Sequence, residues 1–513
     1  MDESTDQLSR SELQRRAVQG VGWTVIHTVV SIPIAFVVNL IVARILGVVD
    51  YGRLAYLSVV MDVAGTILSL GVGTALVQFG SRFTAQGRRD EARRLLSISQ
   101  GFSLVVVAPA ITIVILVMVH VPPLLLGLAI VFGVVLPNLF GTASTALAME
   151  NRTAASARNA MVQNIVVQLA VVTTVLTLRE ADSVWAARVA AGGIIAGLAL
   201  IPLSPDFRRA VLRPRWPRRF PVGFWKFAIP SGLSTLIAQL VVTRSEVVFL
   251  NWLSTPEAVG IFALAMGVAG NVFAPAQAIT GPLIPALSSL KATADENAMV
   301  KAFARTVRAS STVSALITAV GVPAIAVLIP LFYGAAFSAA VLPVLALGCV
   351  GGFTVAASPA WAFTLARLSA RRLLTINLVA LAVDVALAWS LIIVLGTWGA
   401  VIANGASVSV RVVMLLYGEG RALGIRHLDV AKMFAPVLVG MAGAWLGWGI
   451  ATAAPLGTLL AAVVAAALGL GSCLLGLRAL SLGLGSSDTA AIMDAAPSPL
   501  RRVLRPMLAV VTR

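Results

Sequence analysis

Apolar runs of eighteen or more residues recur along the chain, separated by short polar stretches rich in arginine. Each run is long enough to cross a hydrocarbon core of about 30 Å as a helix of about 20 residues. The pattern predicts fourteen such helices, at about 18–43, 54–79, 97–119, 124–148, 160–178, 185–204, 223–252, 258–288, 307–331, 338–366, 373–395, 399–418, 433–453 and 456–480. No series of short alternating strands of the kind that closes a membrane barrel is visible, so the fold class is an all-α polytopic membrane protein. The polar residues 1–17 lead into a long apolar run, not a short one with a small-residue cleavage site, which predicts an uncleaved first helix.

Composition agrees: 59% of the 513 residues are hydrophobic and 12% charged, about half the charge of an ordinary soluble domain. The net charge of +17 is explained by where the arginines fall. With the N-terminus inside, 32 of the 38 basic residues lie in cytoplasmic segments, among them Arg82–Arg94 and Arg208–Arg219. Both termini are then expected in the cytoplasm, with the chain in the plasma membrane. Because these arginines sit in short loops between spans, the charge argues for topology and against a nucleic-acid partner. Two cysteines, Cys349 and Cys473, both in apolar runs, exclude a disulfide framework, and three scattered histidines argue against a metal centre.

The arginine-rich stretch divides the chain. The reading assigns 1–17 to a cytoplasmic segment, 18–204 to a six-helix half, 205–222 to a basic linker, 223–418 to a second six-helix half, 433–480 to a further helix pair and 481–513 to a basic tail. An offset of 208 lays Gly52 on Gly260 and Gly73 on Gly281, and an offset of 213 lays Arg158 on Arg371 and Asn164 on Asn377. Two halves with even numbers of spans point the same way, so they are expected to form a parallel repeat with a cavity between them.

Missing parts narrow the function. No phosphate-binding glycine loop is followed by one of the four lysines, and no HExxH, GxSxG or paired-carboxylate motif occurs, so neither an ATPase nor another enzyme is expected and no cofactor is implied. A bundle of two similar halves reads as a transporter. The segment Val42-Ala43-Arg44-Ile45-Leu46-Gly47-Val48-Val49-Asp50-Tyr51-Gly52-Arg53-Leu54-Ala55 resembles the first outer loop of the Wzx-type polysaccharide flippases, within the multidrug, oligosaccharidyl-lipid and polysaccharide exporter superfamily. Arg244-Ser245-Glu246 through Val259-Gly260-Ile261-Phe262-Ala263, and Asn377 through Asp384 to Gly396-Thr397-Trp398-Gly399-Ala400, resemble further parts of that family. The family often has Asp where Glu246 stands and Asn where Asp384 stands. The resemblance implies alternating-access export of an isoprenoid-diphosphate-linked oligosaccharide to the outer leaflet, with membrane lipids, a polysaccharide polymerase and glycosyltransferases as partners. The alternatives are a multidrug or cation antiporter of the same superfamily and a non-transporting scaffold of an envelope-synthesis complex.

Charges inside spans are the sharpest candidates, because each costs roughly 2.5–3.5 kcal/mol there. Asp62, Glu246 and Asp384 are read as cavity or ion-coupling residues, and Arg44, Arg53, Arg244 and Arg411 as ligands for the diphosphate. Arginine suits that task because its planar fork grips phosphate oxygens bidentately and keeps its charge. The bland alternatives are snorkelling for Arg411, an Asp62–Arg244 ion pair, and solvated loop arginines for Arg44 and Arg53. Asp384 lies mid-span, with no route to water.

Overall fold

The computed structural model describes residues 10–240, 245–280, 296–366 and 370–482, with Gly485 and Thr489. Among the described residues every regular element is helical. Twelve helices there are long and apolar enough to cross a membrane. The first, Gly22–Leu68, has 47 residues, about 70 Å at the helical rise and so long enough for two crossings. The expected seventh span is represented by Phe224–Gln239 and Ser245–Leu253, on either side of residues 241–244, which lie outside the described residues. The fourteen expected spans fit this inventory. Contacts divide the chain into two compact units, Met1–Gln239 and Leu240–Arg513, so the arginine-rich 205–222 stretch belongs to the first.

The first unit runs through α1 (Arg10–Leu68), α2 (Val72–Ala85), α3 (Arg89–Met118), α4 (Pro123–Met149), α5 (Thr153–Thr177), α6 (Ala181–Leu200), α7 (Pro205–Leu212) and α8 (Phe224–Gln239). The loop expected between Arg44 and Arg53 is not a loop. Helix continues on both sides of a single kink at Gly47, whose φ of 74° is open to glycine without strain. The chain breaks again after Leu68, where Leu70 and Gly71 take positive φ. Gly71 has no room for a side chain, since a Cβ would lie 2.2 Å from the Ala228 carbonyl oxygen and 2.7 Å from Gly232 Cα. Small residues on both sides thus let the α1–α2 break lie backbone-to-backbone on α8.

The second unit comprises α9 (Ser245–Leu253), α10 (Pro256–Thr280), α11 (Glu296–Tyr333), α12 (Val341–Ala356), α13 (Ser358–Ala366), α14 (Ala370–Leu395), α15 (Thr397–Ala422), α16 (His427–Ala453) and α17 (Thr458–Ala479). One end of the unit is a core around Phe303 and Phe363, edge to face at 5.2 Å, with Val408, Val412 and Leu415 of α15. The added pair α16–α17 packs on α11 through glycine. A Cβ on Gly469 would lie 2.0 Å from the Ala319 carbonyl oxygen, and one on Gly440 2.4 Å from that of Ala315. In the membrane, where apolar burial gives helices little reason to associate, such close backbone contact is what holds them.

Candidate functional site

Two carboxylates that stand far apart in sequence meet inside the second unit. Glu246, in the first turn of α9, and Asp384, mid-way along α14, are both completely buried. Ser245 joins them: its hydroxyl oxygen lies 2.5 Å from Asp384 Oδ2, 3.2 Å from Glu246 Oε2 and 2.9 Å from the Leu240 carbonyl. One hydroxyl proton serves only one of these at a time. Asn404 of α15 donates through Nδ2 to Glu246 Oε1 at 2.7 Å. Ser407, one turn on, donates to the Asn404 carbonyl at 3.0 Å. Asp384 Oδ1 is buried with no hydrogen-bond partner among the described residues, and neither carboxylate contacts an arginine or lysine there. Two bare negative charges so close, with no solvent, repel strongly. The arrangement therefore suits a transient counter-charge, a proton or a small cation.

The same two helices carry more polar groups in register. Arg411 lies seven residues beyond Asn404 on α15, and Asn377 seven residues before Asp384 on α14. Arg411 Nε donates to Asn377 Oδ1 at 3.1 Å. Seven residues are about 10 Å along a helix and return nearly to the same face. A further step leads to Arg372 Nη1 and Glu419 Oε1, 3.4 Å apart, with Thr364 also donating to Glu419 at 3.1 Å. Antiparallel α14 and α15 are thus crossed by two direct polar rungs, Asn377–Arg411 and Arg372–Glu419, while the carboxylate cluster is linked to both helices through α9. Glu419, only 1% exposed, is a residue that sequence reasoning passed over. The Gly418-Glu419-Gly420 break in an apolar helix was the signal available for it.

The remaining candidates are distributed elsewhere. Arg244 lies outside the described residues, and with it the Asp62–Arg244 pairing. Asp62 and Arg44 are exposed positions of the first unit. Arg53 is tied down. It grips Asp182 through Nε at 2.5 Å and Nη2 at 2.9 Å, and Nη2 also reaches the His120 carbonyl at 2.6 Å. One side chain thereby links α1 to the start of α6 and to the turn after α3. With Arg53 itself 44% exposed at the side chain, the pair is worth at most about 1 kcal/mol. Arg53→Ala and Asp182→Ala are expected to lower the thermal midpoint alike by a few degrees and to leave transport alike. A transport loss in the arginine variant alone would mark Arg53 as a substrate ligand.

The fold and this interior chemistry define a polytopic helical membrane protein that keeps ionisable groups inside its spans. Residues 17–291, more than half the chain, match the family described as "Polysaccharide biosynthesis protein". The chain belongs to that family, and its sequence resemblance to the Wzx-type flippases points the same way. A comparison with curated proteins finds no match. The lipid II flippase MurJ, solved in an inward closed conformation, is similar in fold: 15% identity and a TM-score of 0.62, covering 89% of this chain and 99% of that one. A multidrug resistance transporter of the MATE family in an inward-facing conformation is similar at 14% identity and a TM-score of 0.58, covering 77% of this chain and 95% of that one. A MATE-family transporter in an outward-facing conformation is similar at 16% identity and 0.54, covering 79% and 96%.

Proposed function

We propose that the protein carries an isoprenoid-diphosphate-linked oligosaccharide from the cytoplasmic to the outer leaflet by alternating access, for synthesis of a cell-envelope polysaccharide. The observation that carries this reading over multidrug antiport is the helix pair α16–α17. It extends the bundle beyond twelve spans, and the flippase likeness reaches across more of this chain than the multidrug-transporter likenesses do. In the orientation argued from the arginines, both termini face the cytoplasm. Arg44, Arg244 and Arg411 are the ligands proposed for the diphosphate, and Arg53 is left to its clasp on Asp182. Glu246 and Asp384 take up the coupling proton or cation. Asp62, exposed on α1, is kept as a cavity residue.

Energetics sets the test. An anion leaving an inside-negative cell gains about 2.3 kcal/mol per charge per 100 mV, so a doubly charged head needs no nucleotide. In proteoliposomes holding a fluorescent isoprenoid-diphosphate oligosaccharide, an imposed potential or ion gradient is expected to speed flipping several-fold without ATP. A flipping rate no higher than in protein-free vesicles, with counterflow of a cationic drug in its place, would establish the antiporter reading.

A further inference from the structure

The first unit contains a basic hollow that the transport reading does not use. It lies between the first turn of α3 and the segment that follows α6, and encloses about 450 Å³. Five arginines and two aspartates line it. The aspartates are already engaged. Asp90 pairs with Arg93, and Asp206 is shared by Arg93 at 3.4 Å and Arg209 at 3.8 Å. Arg94, Arg213 and Arg215 make no ion pair among the described residues, so three positive charges converge on the hollow uncompensated.

The wall is built, not draped. After α7 the chain lies along α3 as an extended strap. The Arg215 amide donates to the Ser97 carbonyl at 2.9 Å, and the Ser97 hydroxyl donates to the Arg213 carbonyl. The strap presses so closely that a Cβ on Gly101 would fall 1.8 Å from the Arg215 carbonyl oxygen. Its far end is anchored by stacked rings, Phe220 on Phe224 at 4.6 Å, with Phe102 edge-on to Trp225 at 5.5 Å. The two arginines are therefore carried on fixed backbone.

Depth and neighbours identify the ligand. The hollow opens where the span Arg89–Met118 begins and the span Ala181–Leu200 has just ended, which is the headgroup level of a bilayer. Apolar side chains stand exposed between the arginines, Leu212 at 52% and Trp216 at 64%. Alternating guanidinium and exposed apolar or indole groups suit a surface that is anionic above and hydrocarbon below. We propose that this hollow binds the phosphate headgroup of an anionic phospholipid, with Arg94, Arg213 and Arg215 on the phosphate oxygens and Trp216 against the acyl boundary. Whatever the protein transports, this site is independent of it.

The test is native mass spectrometry of the full chain titrated with phosphatidylglycerol and with phosphatidylcholine. Phosphatidylglycerol is expected to bind at least about tenfold more tightly. Each basic group at an anionic surface supplies about a fivefold gain, so Arg94→Gln/Arg213→Gln/Arg215→Gln should lose at least about tenfold of that affinity. The charge-matched control Arg218→Gln/Arg219→Gln/Arg421→Gln should lose less than about twofold. If the triple variant fails to fold, Arg94→Gln alone, on an exposed position, should lose about threefold to fivefold. Equal losses in the hollow and control variants would reduce the effect to general surface charge and overturn the site. Displacement of the lipid by millimolar inorganic diphosphate would overturn it in favour of a soluble anion.

Discussion

Asp384→Asn is expected to reduce transport at least tenfold in a chain that still folds and inserts. An amide at this position keeps an oxygen toward the Ser245 hydroxyl, now 2.5 Å from Asp384 Oδ2, and fills nearly the same space. What it removes is the charge. Glu246→Gln does the same on the other side, since Gln still offers an oxygen to Asn404 Nδ2. A purely structural pair would tolerate both amides, because replacing a buried charge by a hydrogen-bonding neutral group relieves desolvation. A coupling pair would not, because the amide cannot exchange a counter-ion. The measurement is flipping under an imposed gradient, alongside thermal unfolding of the purified variants. Full activity of both amides at unchanged stability would assign the cluster to structure.

The second large effect is on stability. Gly469→Val places carbon where the Ala319 carbonyl oxygen already sits, 2.0 Å from the Cβ position. That atom is backbone in the middle of α11 and cannot step aside, so α17 must lift off. Overpacking of this kind costs about 1–3 kcal/mol, and here it also unseats Gly443, whose Cβ position lies 2.8 Å from the Gly469 carbonyl oxygen. Thermal unfolding in detergent should shift down by several degrees. Gly471→Ala, two residues along with nothing within 4 Å, should be neutral or slightly stabilising because alanine favours helix. If the two variants behave alike, the close packing of α17 on α11 is not what holds the pair.

The spans were readable because length and hydropathy decide them, whatever packs against what. Glu246 and Asp384 were readable for a related reason: a carboxylate inside an apolar run stands out against its neighbours. Their meeting was not. It depends on α9 and α14 lying side by side, and Ser245, Asn404 and Ser407 are indistinguishable in sequence from the many small polar groups that bond one helix to another. Arg53 misled in the opposite direction. A loop is expected because residues 44–53 fall between two apolar runs and resemble a family's first outer loop, yet within that segment only Gly47 leaves the helical conformation, and Arg53 reaches Asp182 from a helix. Glu419 is not legible as a span residue in the sequence because the apolar run 399–418 ends one residue before it.

The two rungs between α14 and α15, and the cluster that ties both to α9, bear on how this part of the protein can move. Asn377 bonds Arg411 and Arg372 bonds Glu419 directly, while Asp384 and Asn404 are joined through Ser245 and Glu246 of α9, the three levels spread over about 18 Å of helix. A slip of one helix past the other by a single turn would break both direct rungs at once and strand their groups. Each stranded buried group costs about 1–3 kcal/mol, so there is no gradual path for sliding. The pair behaves as a stiff two-rail lever: it can tilt or swing as one piece, but it cannot shear. A tilt of the pair that moves Arg372 and Glu419 at one end therefore also moves Asp384 and Asn404 at the other.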